Sequence, residues 1–363
     1  MYRNKKVLVT GGTGLVGREL VELLVRQGAQ VTSVSLDDNN LDPEWGVEYV
    51  RSDLRVLDNC MRVCDGKDFV FHVAGIKGSP VITKSKQYIF FTNFILLNSN
   101  MIAAMYATDI QWGMYTSTIG TYGQATVFKE DELWNKNPSP NDWFAGWAKR
   151  MGEVQIDAYQ QQHGKQNISI IKPVNIYGKY DNFNLQTSTL VPSLIKKVAE
   201  ATESVEIWGD GSTGRDIIHA KDVARAAIFL VDNKITEPLN IGNGKAITIQ
   251  NLIETLVKVS GKDLTITHDL TKPNGDATRV ADITKLRGYG FESTVSLEEG
   301  LRDTLNWFIA NRSYNGRYDP FLNPDYLSGE PTRKSLPQDD SATVTSYCHG
   351  LNTAVGDPLY RGL

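Results

Sequence analysis

Apolar positions in the first 173 residues alternate between two periods. Strand-like runs rich in β-branched and aromatic residues occur at Val7–Thr10, Gln30–Ser35, Val47–Arg51, Lys67–Val73, Ile110–Thr116 and Ile168–Lys172. Between them, Leu15, Val16, Leu20, Leu23 and Leu24 share one face at helical spacing. Phe90, Phe94, Leu97, Met101 and Met105 mark a packing face on a longer helix at about 85–108, and another helix is predicted at about 145–163. Strands alternating with helices over this length predict an α/β fold with a doubly wound parallel sheet. After Pro173 the alternation gives way to loops, short strands and short helices as far as Asn311, the pattern of a smaller second lobe. Residues 312–363 hold Pro320, Pro324, Pro331, Pro337 and Pro358 among polar residues with little periodicity. They predict an extension that is loose or draped over the surface; the alternative is an arm anchored on a partner subunit by Tyr326, Tyr347, Leu351 and Tyr360. The expected organisation is therefore 1–173, 174–311 with some return to the first domain, and 312–363.

The first strand stops at a glycine cluster, and a helix begins at once. Gly11, Gly14 and Gly17 form G-x-x-G-x-x-G. The first glycine permits the tight turn, the second lets backbone approach a pyrophosphate, and the third lets the helix pack on the strand. Free N–H groups and the positive dipole end of the helix then face the phosphates. Placed between a strand and a helix, the motif predicts a Rossmann-type NAD(P) site, with Thr13, Leu15 and Val16 in the same loop. Ser35 ends the second strand, where a carboxylate would hold the adenosine ribose, and Asp37 and Asp38 follow. No arginine follows to accept a 2′-phosphate, and two carboxylates would repel one, so NAD is preferred to NADP. Asp53 and Leu54 follow the third strand, in reach of adenine; Ala74 and Gly75 end the fourth, where small residues let a cofactor cross the sheet edge. His72, inside that strand, reads as a satisfied core histidine.

A net charge of −4 over 363 residues gives no general attraction to nucleic acid or an anionic membrane. The chain enters its first strand almost immediately, and no apolar run approaches the roughly 18 residues of a membrane span; a cytoplasmic protein is expected. Of the three cysteines, Cys60 and Cys64 lie one helical turn apart and Cys348 lies in the extension. No partners are spaced to complete a metal site, and reduced structural thiols are expected.

The ordered segments GGTGLVG (11–17), HVAG (72–75), STIGTYG (117–123), AKRMGE (148–153), KPVNIYG (172–178) and RDIIHAKDVARA (215–226) resemble the extended short-chain dehydrogenase/reductases that act on nucleotide sugars. NIYGKYDNFNLQTSTLVPSL (175–194) and WGDGSTGRD (208–216) most resemble the GDP-4-keto-6-deoxymannose reductase-epimerases, the GDP-fucose synthases. The resemblance implies a substrate-binding second lobe, a nucleotide-sugar substrate, GDP-linked by preference, and a homodimer formed by the helices at 85–108 and 145–163. It adds Lys77, Pro173, Asn175 and Ile176 to the cofactor site. It assigns Lys77, Thr118, Asn182, Thr189, Lys196, Trp208 and Arg215 to the substrate, with Arg215 gripping the pyrophosphate through parallel N–H donors.

In that family a Ser or Thr, a Tyr and a Lys form the catalytic unit: Tyr moves the proton, Lys lowers its pKa and holds the nicotinamide ribose, and the hydroxyl orients the sugar oxygen. Here Thr118 and Lys149 take two of these places, and the tyrosine position holds Ala145. Three readings follow: an inactivating substitution in an ordinary enzyme, a native site in which water or a group such as Tyr122 serves as donor, or a protein that binds without redox turnover. For Tyr122 the packed aromatic of the YG motif is the favoured reading. Gly120 and Thr189 stand where the reductase-epimerases carry their acid/base Cys and His, which disfavours a 3,5-epimerase step. Ile119-Gly120 replaces the Asp-Glu of the 4,6-dehydratases. What remains is hydride transfer at a sugar carbon, most simply C4 reduction of a 4-keto-6-deoxy sugar, or 4-epimerisation through a transient ketone.

Overall fold

The computed structural model describes residues 1–76, 85–272 and 278–312. Lys77, Cys348 and the extension from residue 313 onward, together with the roles expected of them, lie outside the described residues.

Seven strands form a central sheet: β1 (Lys6–Thr10), β2 (Gln30–Ser35), β3 (Glu48–Arg51), β4 (Phe69–His72), β5 (Trp112–Thr116), β6 (Ile168–Pro173) and β7 (Leu239–Ile241). Their order is β7-β6-β5-β4-β1-β2-β3, and every pairing is parallel. This is the doubly wound order, with its switch point between β1 and β4, where the carboxyl ends of the strands open a crevice. Six strands follow the expected alternation. The seventh does not: Leu239–Ile241 pairs with β6 only after the chain has left for the second lobe and returned.

The helices of eight or more residues are α1 (Leu15–Arg26), α2 (Leu57–Cys64), α3 (Gln87–Ala107), α4 (Trp143–His163), α5 (Leu190–Glu200), α6 (Ala220–Asp232), α7 (Ile249–Ser260) and α8 (Leu297–Ala310). α1 and α6 pack on each other, and their apolar faces share one core with β1, β4 and β7. On the other side of the sheet α3 buries Leu97, Met101 and Met105 against β4, β5 and α2. Cys60 and Cys64 are buried, free thiols within α2 in this second core. A separate core joins α5, α7 and α8 through Leu194, Ile195, Leu252, Leu256, Leu301 and Leu305. α8 opens with a capping box, Ser296 with Glu299, and α7 ends at Gly261 in the left-handed region.

Contrary to the sequence expectation, α3 is long and apolar enough to cross a membrane, with a mean hydropathy of 1.3. Half of its most apolar stretch is buried within the fold, because α3 lies between the sheet, α2 and α4.

The tightest backbone approach is at the glycine loop. Gly11 takes a φ of +69° and a Cβ there would stand 2.9 Å from the Ala74 Cα, while a Cβ on Gly17 would stand 2.0 Å from the Gly11 carbonyl oxygen. Neither neighbour is a side chain that could turn aside. Gly17→Ala is therefore expected to lower unfolding free energy by at least about 1–3 kcal/mol, read from the denaturant midpoint; an unchanged midpoint contradicts this packing.

Candidate active site

The carboxyl ends of β1, β4 and β5, the start of α1 and the second lobe enclose a cleft of ≈ 810 Å³. On its wall lie Gly11, Gly14, Leu15, Val16 and Gly17 from the glycine loop, Ser35 and Asp37 after β2, Asp53 and Leu54 after β3, and Ala74 and Gly75 after β4. Thr118, Ala145 and Lys149 join them, as do Pro173, Asn175, Ile176, Asn182, Thr189 and Lys196.

The residues present fit a dinucleotide. Gly14 is the N-cap of α1 and offers no side-chain cap, so first-turn N–H groups open on the cleft. Ser52, also on the wall, has a buried Oγ without a partner among the described residues. At the ribose end the Thr13 hydroxyl lies 2.7 Å from both Ser35 Oγ and Asp37 Oδ2, and Ser35 Oγ lies 3.2 Å from the same carboxylate oxygen. Thr13 is thus buried behind the wall, bracing Asp37. Asp53 accepts from Arg55 through both carboxylate oxygens, with contacts of 2.7–3.1 Å. An arginine absent from the sequence after β2 arrives from α1: Arg18 Nη1 donates to Asn40 Oδ1 at 3.0 Å, and its guanidinium lies 4.1 Å from the Tyr180 ring centre.

A polar chain runs from β1 to α4. Thr10 Oγ1 accepts from Ala74 N (3.1 Å) and lies 2.8 Å from His72 Nδ1; His72 Nε2 lies 3.2 Å from Asn98 Oδ1. Because Asn98 Oδ1 can only accept, the His72 proton is assigned to Nε2. Burial, reinforced by the charge of Lys149, pushes His72 down to about 3, so the ring is a neutral core group as expected. Lys149 Nζ donates to Asn98 Oδ1 (3.3 Å) and to the Thr116 carbonyl (2.7 Å), 5.0 Å from the Phe94 ring centre and 5.1 Å from that of Tyr115. Burial depresses its ammonium to about 7, against a smaller upward pull from Glu153.

Beneath this chain Glu153 and Lys172 form a buried ion pair, and Ser117 donates to the same carboxylate oxygen, Oε1. Lys172 also reaches Thr121 Oγ1 at 3.3 Å. Arg150 donates to the carbonyls of Thr121, Leu133 and Lys136. The loop after β5 is thereby tied to α4 from both sides. Thr118 lies in it, its Oγ1 accepting from Gly120 N at 3.1 Å.

Tyr122 is packed as the favoured reading had it. Its ring stacks on Phe128, its hydroxyl donates to Asn240 at 2.9 Å, and it is not on the cleft wall. Trp208 and Arg215, expected at the substrate, are not brought to the wall either. Trp208 is exposed at the end of a strand spanning Ser204–Trp208, with Lys272 Nζ 5.6 Å from its ring centre. Arg215 lies in a two-residue strand and donates to the Gly214 carbonyl at 2.7 Å. The wall also carries Phe183, inside the 175–194 segment but not singled out in it, and Trp307, Phe308 and Arg312, which no motif marked.

A sequence profile of the NAD dependent epimerase/dehydratase family matches residues 7–242. The chain is similar to a GDP-L-fucose synthase of Escherichia coli (strain K12), 27% identical over 85% of this chain and 98% of that protein. It is similar to GDP-L-fucose synthase 1 of Arabidopsis thaliana, 30% identical over 85% of this chain and 94% of that one. A crystal structure of a GDP-L-fucose synthetase from Naegleria fowleri bound to NADP superposes with a TM-score of 0.74 at 19% identity, covering 87% of this chain and 98% of that one, a likeness of fold.

The Glu153–Lys172 pair generates a stability prediction. Lys172→Met strands a buried carboxylate and is expected to cost about 3–5 kcal/mol, whereas Lys172→Met combined with Glu153→Leu should cost clearly less. Urea denaturation of both variants decides it; equal losses contradict the coupling.

Proposed function

The chain belongs to the NAD dependent epimerase/dehydratase family, and on that premise we propose that it is an NAD(P)-dependent oxidoreductase of a nucleotide sugar, GDP-linked by preference, reducing C4 of a 4-keto-6-deoxy sugar. The observation that carries the reading is one cleft holding the glycine loop, Thr118 and Lys149 on one wall and Asn182, Thr189 and Lys196 among its other lining residues. Bound NAD(P) supplies hydride chemistry. The chain's own part is to seat the pyrophosphate on the α1 N-terminus, orient the sugar oxygen with the Thr118 hydroxyl, and hold the ammonium of Lys149 beside it. NAD is the preferred cofactor: Asp37 stands at the ribose end, and Arg18 is engaged with Asn40 and the Tyr180 ring. The relatives' names support the GDP-sugar class. Ala145 favours a second reading, a protein that binds nucleotide sugar without turnover.

A homodimer paired through α3 and α4 belongs to the same proposal, supported by the exposed apolar side chains Tyr88, Met151 and Val154 on those helices. Light scattering should give the mass of two chains; a monomer at micromolar concentration contradicts it.

Purified protein given NADH and a GDP-4-keto-6-deoxy sugar is expected to consume the cofactor, read at its absorbance band. The reading fails if nucleotides bind and no hydride is transferred across a panel of sugars. Ala145→Tyr distinguishes the alternatives: a gain of about 10²–10⁴-fold marks the alanine as a lesion, and a small change marks a native site with another donor. Titration with both dinucleotides should show NAD binding more tightly than NADP; equal or tighter NADP binding overturns the preference.

A further inference from the structure

We infer that Lys149 itself is the proton donor to the sugar oxygen, acting through the space that Ala145 leaves open on the cleft wall; this rests on the oxidoreductase reading above. Residues 145 and 149 lie one turn apart on α4, and a helical side chain leans toward the N-terminus, so Lys149 extends toward position 145. Both residues line the cleft. The methyl group of Ala145 takes up the least space on the stretch of wall next to the amine.

The ammonium has three N–H donors. One goes to the Thr116 carbonyl and one to Asn98 Oδ1; the third has no acceptor among the described residues. Among the described residues the groups facing Nζ are Asn98 and Phe94 from α3, His72 from β4, and Tyr115 and the Thr116 carbonyl from β5. His72 is neutral, and burial holds the Tyr115 phenol well above its ordinary value. Glu153, on the same helix face, is engaged by Lys172 and Ser117. No described carboxylate within salt-bridge distance pins the Lys149 proton, and burial brings the ammonium near neutral pH, where a general acid is most effective. Tyr122 is removed from the cleft by its bond to Asn240, and Thr118 is too weak an acid for the task.

The step balances as a carbonyl reduction. As the sugar's carbonyl carbon gains a hydride from reduced nicotinamide, the C–O π pair passes to oxygen. That oxygen takes a proton from Nζ, an O–H bond forms, an N–H bond breaks, and the neutral amine is reprotonated from water.

Competitive labelling of amines with mass-spectrometric readout, across pH and with NAD bound or absent, measures the titration of Lys149 without reference to activity. A midpoint near 7 is expected; a midpoint above 9 in both states overturns the proposal. Single-turnover hydride transfer should fall as pH rises through that midpoint. Lys149→Arg keeps the charge and cannot give up its proton near neutrality, so at saturating NADH it should slow single-turnover transfer at least about 100-fold. Ala145→Tyr added to Lys149→Arg should restore at least tenfold by supplying a phenol. Transfer within threefold of the parent in Lys149→Arg, or no gain in the double variant, overturns the assignment of Lys149 while leaving the oxidoreductase reading intact. Absence of transfer in the parent protein overturns both.

Discussion

The site depends on an ion pair taken out of water. Glu153 and Lys172 are both buried, and such a pair is tolerable only when its remaining polar atoms are satisfied. Ser117 and Thr121 do this, and both belong to the loop that follows β5. Strand, loop and helix must therefore be in register at once for the charges to be paid. Ala145, Lys149 and Glu153 recur at intervals of four along one face of α4. The pair that fixes Glu153 consequently fixes the rotation of the whole stripe, and with it the direction in which Lys149 points.

Neutrality at His72 complements that arrangement. A charged imidazole beside the Lys149 ammonium would double the positive charge in a dry space, and burial removes that conflict by disfavouring protonation of the ring. Asn98 then accepts from both neighbours with one oxygen, while its amide nitrogen has no partner among the described residues.

Much of this was legible in the sequence. Period and turn chemistry are local properties, so six strands, the first helix and the glycine loop could be read directly. β7 could not: three residues, Leu239–Ile241, carry too little periodicity, and their place beside β6 is decided by α6 packing on α1. Arg18 sits on α1, 22 residues before Asn40, the residue it meets in the loop after β2, and Ser52, Trp307 and Arg312 acquire meaning only from the walls around them. Trp208 and Arg215 carry the opposite lesson, since a matching motif fixed their chain position and left their distance from the cleft undetermined. α3 reads from its spacing as a packing face, and Leu97, Met101 and Met105 form one; its length and apolarity nevertheless match those of a span, because a helix enclosed on several sides by protein has the same composition as one enclosed by lipid.

The late arrival of β7 has a consequence for the chain during synthesis. Once Pro173 has emerged, all the residues of β1 to β6 exist, yet the outer edge of β6 presents unpaired backbone at Ile171–Pro173. The strand that covers it is made only after α5 and α6. At about 5–20 residues per second, the nascent sheet displays a sticky, apolar margin for several seconds. A fragment ending near residue 173 therefore lacks both the strand that pairs with Ile171–Pro173 and the α6 face that shares its core with α1 and β1.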